Sequence, residues 1–465
     1  MKNISILFFC VLAIISCKKD DNPVAATIDY DKITAIKFAQ HVQPLLNDKC
    51  ATSGCHNSTD RAAGLSLSSW NAMVKGSAHG EVIIAHNAER SLLTTLFDGT
   101  SHRKTHPSIS KTLTTPERNF LRRWLNEGAK NSNGISPFQN MAHKLYVPNQ
   151  GEDVVAVIDT DSLVVARYVN VGVSPATDAP HFIVAHGNYW YVSLINTGKI
   201  QKFDAITDTL VATGSVVGAP ALLEITPDGS KLYISQFTSS TKLISVMNTA
   251  TMTVQKTIPV WTMPHGIRMN KAGTRLYVAN MMSDNISVID VATDSVIETI
   301  PLAFDANPFG PTKYAPMELA VSPNDSTVLV TCSEHQEVRM FSAATNTLID
   351  SFQIGDQPWH LDFTPDGEYC YVTNRRGNSV SQIHLPMRTV MNTIVAPSDF
   401  DYPHGCVTSP DGKYIFVSNE NTNHHFVPRY SLDFMGNICV INHLTNQIEK
   451  VLEVGKTPTG ISVLH

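Results

Sequence analysis

The chain has 465 residues, of which 43% are hydrophobic and 16% charged, a balance typical of folded globular proteins rather than disordered ones. This length predicts two or more units, or one large repeat array. The formal net charge of -6 is mild and argues against a nucleic-acid-binding protein, which would carry a clustered basic excess.

The N-terminus has the pattern of an export signal. Lys2 precedes an apolar run over residues 4–15 that is too short to span a bilayer as a stable helix, and Cys17 follows. A small residue before this cysteine, with "KKDD" after it, resembles the lipobox of outer-membrane lipoproteins. The resemblance implies a signal peptide over 1–17, lipid on Cys17 and a tether over 18–34. It places the protein on the outer membrane, at the periplasmic face or the cell surface. Ordinary secretion with a nearby cleavage site is the alternative.

Residues 35–130 have helical periodicity. The stretch "FAQHVQPLL" places apolar residues on one helical face, and Pro44 interrupts or kinks it. A stronger helix is predicted from Thr114, which forms capping-box spacing with Glu117, to Gly128, which is placed to end it. Residues 131–140, rich in turn formers, predict a linker.

From residue 141 to 465 the pattern changes to short β-strands. Seven segments share one design, an apolar strand, a polar turn and a second strand. Aligned on one central apolar residue, they follow each other at steps of 45, 42, 44, 52, 42 and 45 residues. The aligned residues are Val147, Val192, Ile234, Val278, Val330, Val372 and Val417. A period of about 40–50 residues with several strands per unit predicts a β-propeller.

The ends of the repeat array predict how the ring closes. The first repeat lacks an upstream inner strand, and the chain has a spare strand in "TPTGISVLH". A seven-bladed propeller closed by this C-terminal strand would leave no exposed edge at the junction. The repeats resemble the YVTN family of β-propellers, whose tetrapeptide stands here as Tyr371-Val372-Thr373-Asn374. The predicted fold class is therefore multidomain, a small all-α unit followed by an all-β propeller.

Cys50, Cys55 and His56 lie within seven positions, in "CATSGCH". A structural zinc, a short-loop disulfide and covalent c-type haem all use these residue types. A zinc site normally takes four protein ligands, and no second cysteine pair lies in residues 35–130. A disulfide would leave His56 without a role. Haem needs two thiols and an adjacent axial histidine, although its usual spacing is C-x-x-C-H.

The surrounding run, from "HVQPLLNDKCATSGCH" to "RRWLNEGAK", resembles the planctomycete-type cytochrome c domain. The resemblance implies one haem c bound covalently to Cys50 and Cys55, with His56 as an axial ligand of the iron. Family members carry Met-Pro before the last helix, with that methionine on iron. His106-Pro107 stands there instead, so His106 is the predicted sixth ligand. His102, His79 and His86 compete for this role, and Met73 is the methionine alternative.

Histidines recur where the inner strands of the propeller begin. "APHFIV", "MPHGIR", "QPWHLD" and "YPHGCV" contribute His181, His265, His360 and His404, and "APMELA" contributes Glu318. These strand starts should gather at one mouth of the central channel. In nitrous oxide reductase and haem-d nitrite reductases, histidines at this face of a propeller bind copper or haem iron. We favour a polar, hydrated channel, and a second metal or haem at this mouth is the alternative.

The remaining cysteines lie outside the haem motif. Cys370, Cys406 and Cys439 have strand-like surroundings and are interpreted as small buried apolar residues; disulfide pairing among these three and Cys332 is left open.

Together these features predict an outer-membrane c-type cytochrome with a β-propeller module. It would exchange electrons with a redox partner protein, a small-molecule donor or acceptor, or a site in the propeller. One alternative is a surface binding or adhesion scaffold with an accessory haem. The other is an oxidoreductase whose metal or cofactor lies at the propeller mouth, so enzyme activity is open at this point.

Overall fold

The structure, a computed structural model, describes residues 28–78, 80–98, 113–302, 312–428 and 433–464. The predictions for Cys17, His79, His102 and His106 lie outside these residues. Among the helices within them, none is long and apolar enough to cross a membrane.

Short helices form the N-terminal unit. A π-helical turn, Phe38–Val42, leads directly into α1 (Gln43–Lys49), and the change of helix type falls just before Pro44, as expected for a proline in the first turn. The others are α2 (Trp70–Val74), α3 (Leu92–Asp98) and α4 (Thr115–Asn126), with 3-10 turns at Tyr30–Lys32 and Ala62–Gly64. Their apolar faces, including Leu46, Met73 and Trp124, share one core.

The longest helix, α4, begins and ends as predicted. The Thr114 side chain accepts from the Glu117 backbone N–H, and the Glu117 carboxylate accepts from the Thr114 backbone N–H, which completes the capping box. Gly128 follows the helix with φ +102°, a conformation that costs glycine little.

Twenty-eight described strands follow in seven sheets of four. In chain order they are β1 (Lys144–Asn149), β2 (Val154–Asp159), β3 (Val164–Asn170), β4 (Pro180–His186), β5 (Tyr189–Leu194), β6 (Lys199–Asp204), β7 (Leu210–Ser215), β8 (Pro220–Ile225), β9 (Lys231–Gln236), β10 (Leu243–Asn248), β11 (Thr253–Pro259), β12 (Pro264–Met269), β13 (Arg275–Asn280), β14 (Asn285–Asp290), β15 (Ser295–Pro301), β16 (Pro316–Val321), β17 (Thr327–Cys332), β18 (Glu337–Ser342), β19 (Leu348–Gln353), β20 (Pro358–Phe363), β21 (Tyr369–Asn374), β22 (Ser379–His384), β23 (Thr389–Val395), β24 (Pro403–Thr408), β25 (Tyr414–Asn419), β26 (Asn437–Asn442), β27 (Gln447–Glu453) and β28 (Ser462–Leu464).

Each sheet is one blade of a seven-bladed propeller, and the ring closes as predicted. Blades 2 to 7 take four consecutive antiparallel strands each, starting with β4, β8, β12, β16, β20 and β24. Blade 1 has the order β28-β1-β2-β3, so the last strand of the chain supplies its inner strand. Lys144 lies opposite Leu464 and Tyr146 opposite Ser462 in this pair.

The N-terminal helical unit covers the outer strand of blade 1. Val164 and Val165, at the start of β3, are fully buried, whereas β11 and β15 are exposed over most of their length. The backbone N–H of Val165 donates to the Glu81 carboxylate, and Arg90 reaches from the helical unit to the Glu152 carboxylate at 2.5 Å. The two units are therefore joined by side-chain contacts as well as by the chain.

Candidate functional site

The inner strands begin with an irregularity that turns two consecutive side chains towards the axis. In blades 2 to 7, a proline opens the strand and the register shifts between this proline and the third residue after it, for example between Pro180 and Ile183. At a β-bulge of this kind the intervening side chains need not alternate strictly between the two faces of the sheet. The first position after proline carries His181, His265 and His404, and the second carries Glu318 and His360. The one-residue offset of His360 therefore does not remove it from the channel.

Hydroxyl groups on the neighbouring strands hold these bulges in place. The Thr373 hydroxyl accepts from the His360 N–H at 3.0 Å and donates to the His404 carbonyl in the next blade at 2.9 Å. Thr331 does the same for Glu318 and the carbonyl of Trp359. Ser193 and Ser418 make the equivalent pair of bonds, whereas the Ser235 hydroxyl bonds, among the described residues, only to the backbone of Leu222 in its own blade. The sequence prediction missed this role, although its signal is present as the third position of the YVTN-like tetrapeptide.

Four imidazole rings meet at the axis, and we call them the axial cluster: His181, His265, His360 and His404. The centroid of His181 lies 6.0 Å from that of His265 and 5.5 Å from that of His404, and His360 and His404 are 5.0 Å apart. All four residues are buried, with 5% exposure or less. The structure therefore brings together the histidines that the sequence singled out.

Two of these rings are held in place by an oxygen atom close to Nδ1. Nδ1 of His265 lies 3.1 Å from the Met317 carbonyl, an acceptor, which places the proton on Nδ1. Nδ1 of His181 lies 3.2 Å from Oε1 of Gln150. In all four rings one buried nitrogen has no hydrogen-bond partner among the described residues: Nε2 of His181, His265 and His360, and Nδ1 of His404.

Burial keeps the axial cluster uncharged at neutral pH. Loss of hydration lowers the pKa of His181 to about 3 and that of His265 to about 4. The pKa values of His360 and His404 are likewise held well below the usual range, first by burial and then by neighbouring histidines. Neutral imidazole is the form that coordinates metal ions.

A charged layer lies next to the axial cluster. Glu318 is fully buried, and one of its oxygens lies 3.8 Å from Nε2 of His360. Arg268 lies 3.7 Å from Glu318 and 3.7 Å from Glu224. Burial raises the pKa of Glu318 to about 8, although Arg268 acts in the opposite direction. Among the described residues no three His, Cys, Asp or Glu side chains are arranged so that they could hold a metal ion.

Aromatic side chains border the axial cluster. The ring of Phe237 lies 5.3 Å from His265, and that of Trp359 lies 5.8 Å from His404. The guanidinium of Arg375 stacks 4.9 Å from the Trp359 ring and is paired with Glu420 at 2.7 Å. A ligand at the axis would therefore meet imidazole nitrogens framed by flat apolar surfaces.

The cysteine motif lies in the helical unit, directly after α1. The Cys50 N–H donates to Leu46 as the cap of α1, and Cys50 packs against the apolar core of the unit. Burial, with a smaller contribution from Cys55, raises the pKa of the Cys50 thiol to about 11. The two thiols are not joined in a disulfide. Nδ1 of His56 lies 3.1 Å from the Ala62 carbonyl.

The other candidates for the haem site occupy different surroundings. Met73 is fully buried in the core of the helical unit. His86 is exposed, with Nδ1 3.3 Å from the Asn126 carbonyl at the end of α4. The propeller cysteines Cys370, Cys406 and Cys439 are buried, as the sequence predicted, and so is Cys332; none of the four forms a disulfide, which the sequence left open.

Fold and site thus define a seven-bladed β-propeller protein with an N-terminal helical unit and a histidine-lined axis. A family model described as "Lactonase, 7-bladed beta-propeller" matches residues 142–298, about a third of the chain. The match supports the propeller architecture at the level of sequence.

Individual relatives agree with this architecture. The seven-bladed beta-propeller protein Rv1057 of Mycobacterium tuberculosis is 30% identical over 166 residues, 34% of this chain and 39% of that protein. Antigen Lp49 of Leptospira interrogans is 25% identical over 194 residues, 38% of this chain and 40% of that protein. The chain thus spans about two fifths of the length of these curated relatives.

A solved structure also shares the fold. A chain of hydrazine synthase from Kuenenia stuttgartiensis superposes with a TM-score of 0.52 at 18% identity, covering 63% of this chain and 93% of that one. At this identity the likeness concerns the fold alone.

Proposed function

We propose that the protein is a c-type cytochrome joined to a β-propeller, which exchanges electrons with a partner at the surface of the outer membrane. The observation that carries the proposal is the arrangement of Cys50, Cys55 and His56 on a helical unit with its own apolar core. Covalent haem supplies reversible one-electron transfer when it is bound.

The residues of the motif suit this group chemically. Cys50 and Cys55 are unpaired, so both thiols are open to thioether formation with the haem vinyl groups. Cys50 rests against the apolar core, the surrounding that a porphyrin face requires. The Nδ1 contact of His56 with the Ala62 carbonyl leaves the ring lone pair on Nε2, the arrangement typical of a metal-bound histidine with a backbone acceptor.

The position of the motif fits electron exchange with a partner. Cys55 and His56 are half-buried, and Ser58, Thr59 and Asp60 beyond them are exposed. A group held here would therefore lie near the surface of the unit, within reach of a redox partner protein or a small donor or acceptor. The lipid anchor on Cys17 would hold this surface at the membrane, on its periplasmic or external face.

The experiment is to express the full chain in a host with c-type haem maturation. The protein should retain its colour through acid-acetone extraction, and Cys50→Ala combined with Cys55→Ala should lose it. Cys332→Ala combined with Cys439→Ala is the matched control, because it removes two buried thiols from the propeller. Colour retained in the first double variant, or absent from the unmodified protein, would refute haem attachment.

A surface binding scaffold is the second candidate function. The observation behind it is the similarity of 38% of the chain to a protein named as an antigen, Lp49. In that case the helical unit is accessory, and removing haem should leave binding by the propeller unchanged. The oxidoreductase alternative requires a second metal or cofactor at the axis. Metal analysis distinguishes it from the other two candidate functions, because only the oxidoreductase would contain more metal than one haem iron per chain.

A further inference from the structure

We infer that the helical unit acts as a clasp on the closing seam of the propeller, and that it holds the C-terminal strand in place through Arg90. The closing seam is the junction of blade 7 and blade 1, where β28 pairs with β1. The inference concerns contacts between the two units and holds whether or not the helical unit carries haem.

The helical unit faces both blades that meet at the closing seam. Its Glu81 carboxylate accepts from the backbone N–H of Val165 in β3, the outer strand of blade 1. The same carboxylate lies near Lys450 in β27, the outer strand of blade 7, because burial lowers the pKa of Lys450 and the charge of Glu81 opposes that effect. One side chain of the helical unit therefore acts on the outer strands of two neighbouring blades.

Arg90 lies at the same junction. Its guanidinium stacks 4.3 Å from the ring centroid of Tyr168 in β3, and Tyr168 packs against the core that blades 1 and 7 share, which includes Leu145 and Phe416. Arg90 also pairs with the Glu152 carboxylate at 2.5 Å, and these two side chains are 21% and 20% exposed. A charge-assisted hydrogen bond at this depth is screened less by water than an ion pair on the open surface.

Glu152 connects Arg90 to the C-terminal tail. It lies in the turn between β1 and β2, and while its Oε2 accepts from Arg90, its Oε1 accepts from the backbone N–H of Lys456 at 3.0 Å. The backbone of the same turn extends this contact, since the Gly151 N–H donates to the Lys456 carbonyl at 3.0 Å. A Cβ at Gly455 would collide with Oε1 of Glu152, so glycine allows this close approach of the tail.

The C-terminal strand is short enough to depend on such contacts. β28 has three described residues, which pair with Lys144, Leu145 and Tyr146, whereas β1 pairs with β2 over six residues. A strand with few ladder hydrogen bonds can open locally without unfolding of the whole domain. Loss of one bond near this strand should therefore have a measurable effect on its opening.

Removing the charge of Arg90 should release the Glu152 carboxylate from the tail. Asp153, the next residue, is also acidic; burial raises its pKa, and the charge of Glu152 adds to that rise. Without Arg90 the Glu152 carboxylate would remain beside this acidic neighbour and lose its cationic partner. Hydration is then the better compensation for its charge, and turning towards water breaks the bond to the Lys456 N–H.

The test is hydrogen exchange of the full chain, read by mass spectrometry on peptides. In the Arg90→Gln variant, exchange over residues 456–464 should be faster by about 10-fold or more, the factor that corresponds to loss of one hydrogen bond to a charged group. Exchange in β13 of blade 4 should change little. Glu152→Gln should have a similar effect on the tail, and combining the two changes should add little to the larger single effect, because both remove the same contact.

Lys231→Gln is the matched control. It removes an ion pair with Asp294 between blades 3 and 4, whose side chains are 27% and 14% exposed, and it should leave exchange of the tail unchanged. Unchanged tail exchange in Arg90→Gln would overturn the inference. So would equal acceleration in the tail and in β13, because a general loss of stability affects all blades alike, whereas a clasp on the closing seam acts on the C-terminal strand.

Discussion

Replacing Asp208 with asparagine should destabilise the propeller more than any conservative change at an exposed turn. Its carboxylate accepts from Lys144 at 3.2 Å, Tyr146 at 3.1 Å, Arg167 at 2.9 Å and Trp190 at 2.9 Å. The side chains of Asp208 and Lys144 are 2% and 3% exposed. The change keeps size and shape, and asparagine tolerates the positive φ of 53° at this position. What is lost is the negative charge.

The magnitude follows from this burial. Breaking a buried ion pair by removing one charge costs about 3–5 kcal/mol, because the other charge is left buried and unpaired. One amide oxygen cannot serve all four donors, so at least one neutral donor also loses its partner, at about 1–3 kcal/mol. These costs overlap, since the donors share one acceptor, and the expected loss in free energy of unfolding is about 4 kcal/mol.

Asp294→Asn is the matched control. Asp294 has a φ of 49° and pairs with Lys231 at 2.8 Å, but these side chains are 14% and 27% exposed. Water can therefore solvate the orphaned ammonium, and the loss should be about 1–2 kcal/mol. Denaturant unfolding monitored by tryptophan fluorescence and by circular dichroism measures both variants. Equal losses would refute the argument from burial.

The pH dependence gives an independent check on Asp208→Asn. Burial lowers the pKa of Lys144 in the folded protein, and losing the attraction of Asp208 should lower it further. Between the folded and the unfolded pKa the unfolded chain binds more protons, so stability rises with pH. The loss in free energy of unfolding caused by Asp208→Asn should therefore become smaller as the pH is raised towards 10. A deficit that is constant with pH would contradict an unpaired Lys144 charge as its cause.

Three further changes test other parts of the molecule. Cys17→Ala should abolish lipid labelling and release the protein from the membrane fraction; unchanged labelling would contradict the lipobox. His106→Met should add the near-infrared methionine–iron band and raise the reduction potential of the haem, whereas His102→Ala should alter neither; a change to high spin in the latter would make His102 the ligand instead. Thr114→Ala should cost about 1 kcal/mol by removing the cap of α4, measured by thermal unfolding, and Thr114→Ser should restore most of it.

The propeller could be predicted from sequence because its evidence is local and repeated. The seven apolar positions from Val147 to Val417 recur at nearly constant steps, and each lies on the second strand of its blade. The first repeat lacks an inner strand and the end of the chain has a spare one, and these two features together predicted the pairing of β1 with β28. The histidine positions followed from the same alignment, since equivalent positions in repeats converge on the axis of a ring.

Contacts between blades could not be predicted in the same way. The Thr373 hydroxyl donates to the carbonyl of His404 in the next blade. This contact depends on the geometry of the bulge and on the twist between neighbouring sheets. Arg268 joins Glu224 and Glu318 from two different blades, and the sequence pattern does not specify that meeting. The burial of β3 could not be predicted either, because its apolar residues resemble those of the exposed outer strands β11 and β15.

The closure of the ring by β28 has a consequence for the order in which the protein can fold. β1 lies near residue 144, but its inner neighbour near residue 462 is translated more than 300 residues later. Throughout that interval blade 1 has an unsatisfied inner edge, the kind of edge that recruits strands from other chains. Contacts of such large sequence separation also form slowly. The final step in folding of the propeller should therefore be a long-range capture of the tail, and the chain would depend most on protection from aggregation just before it.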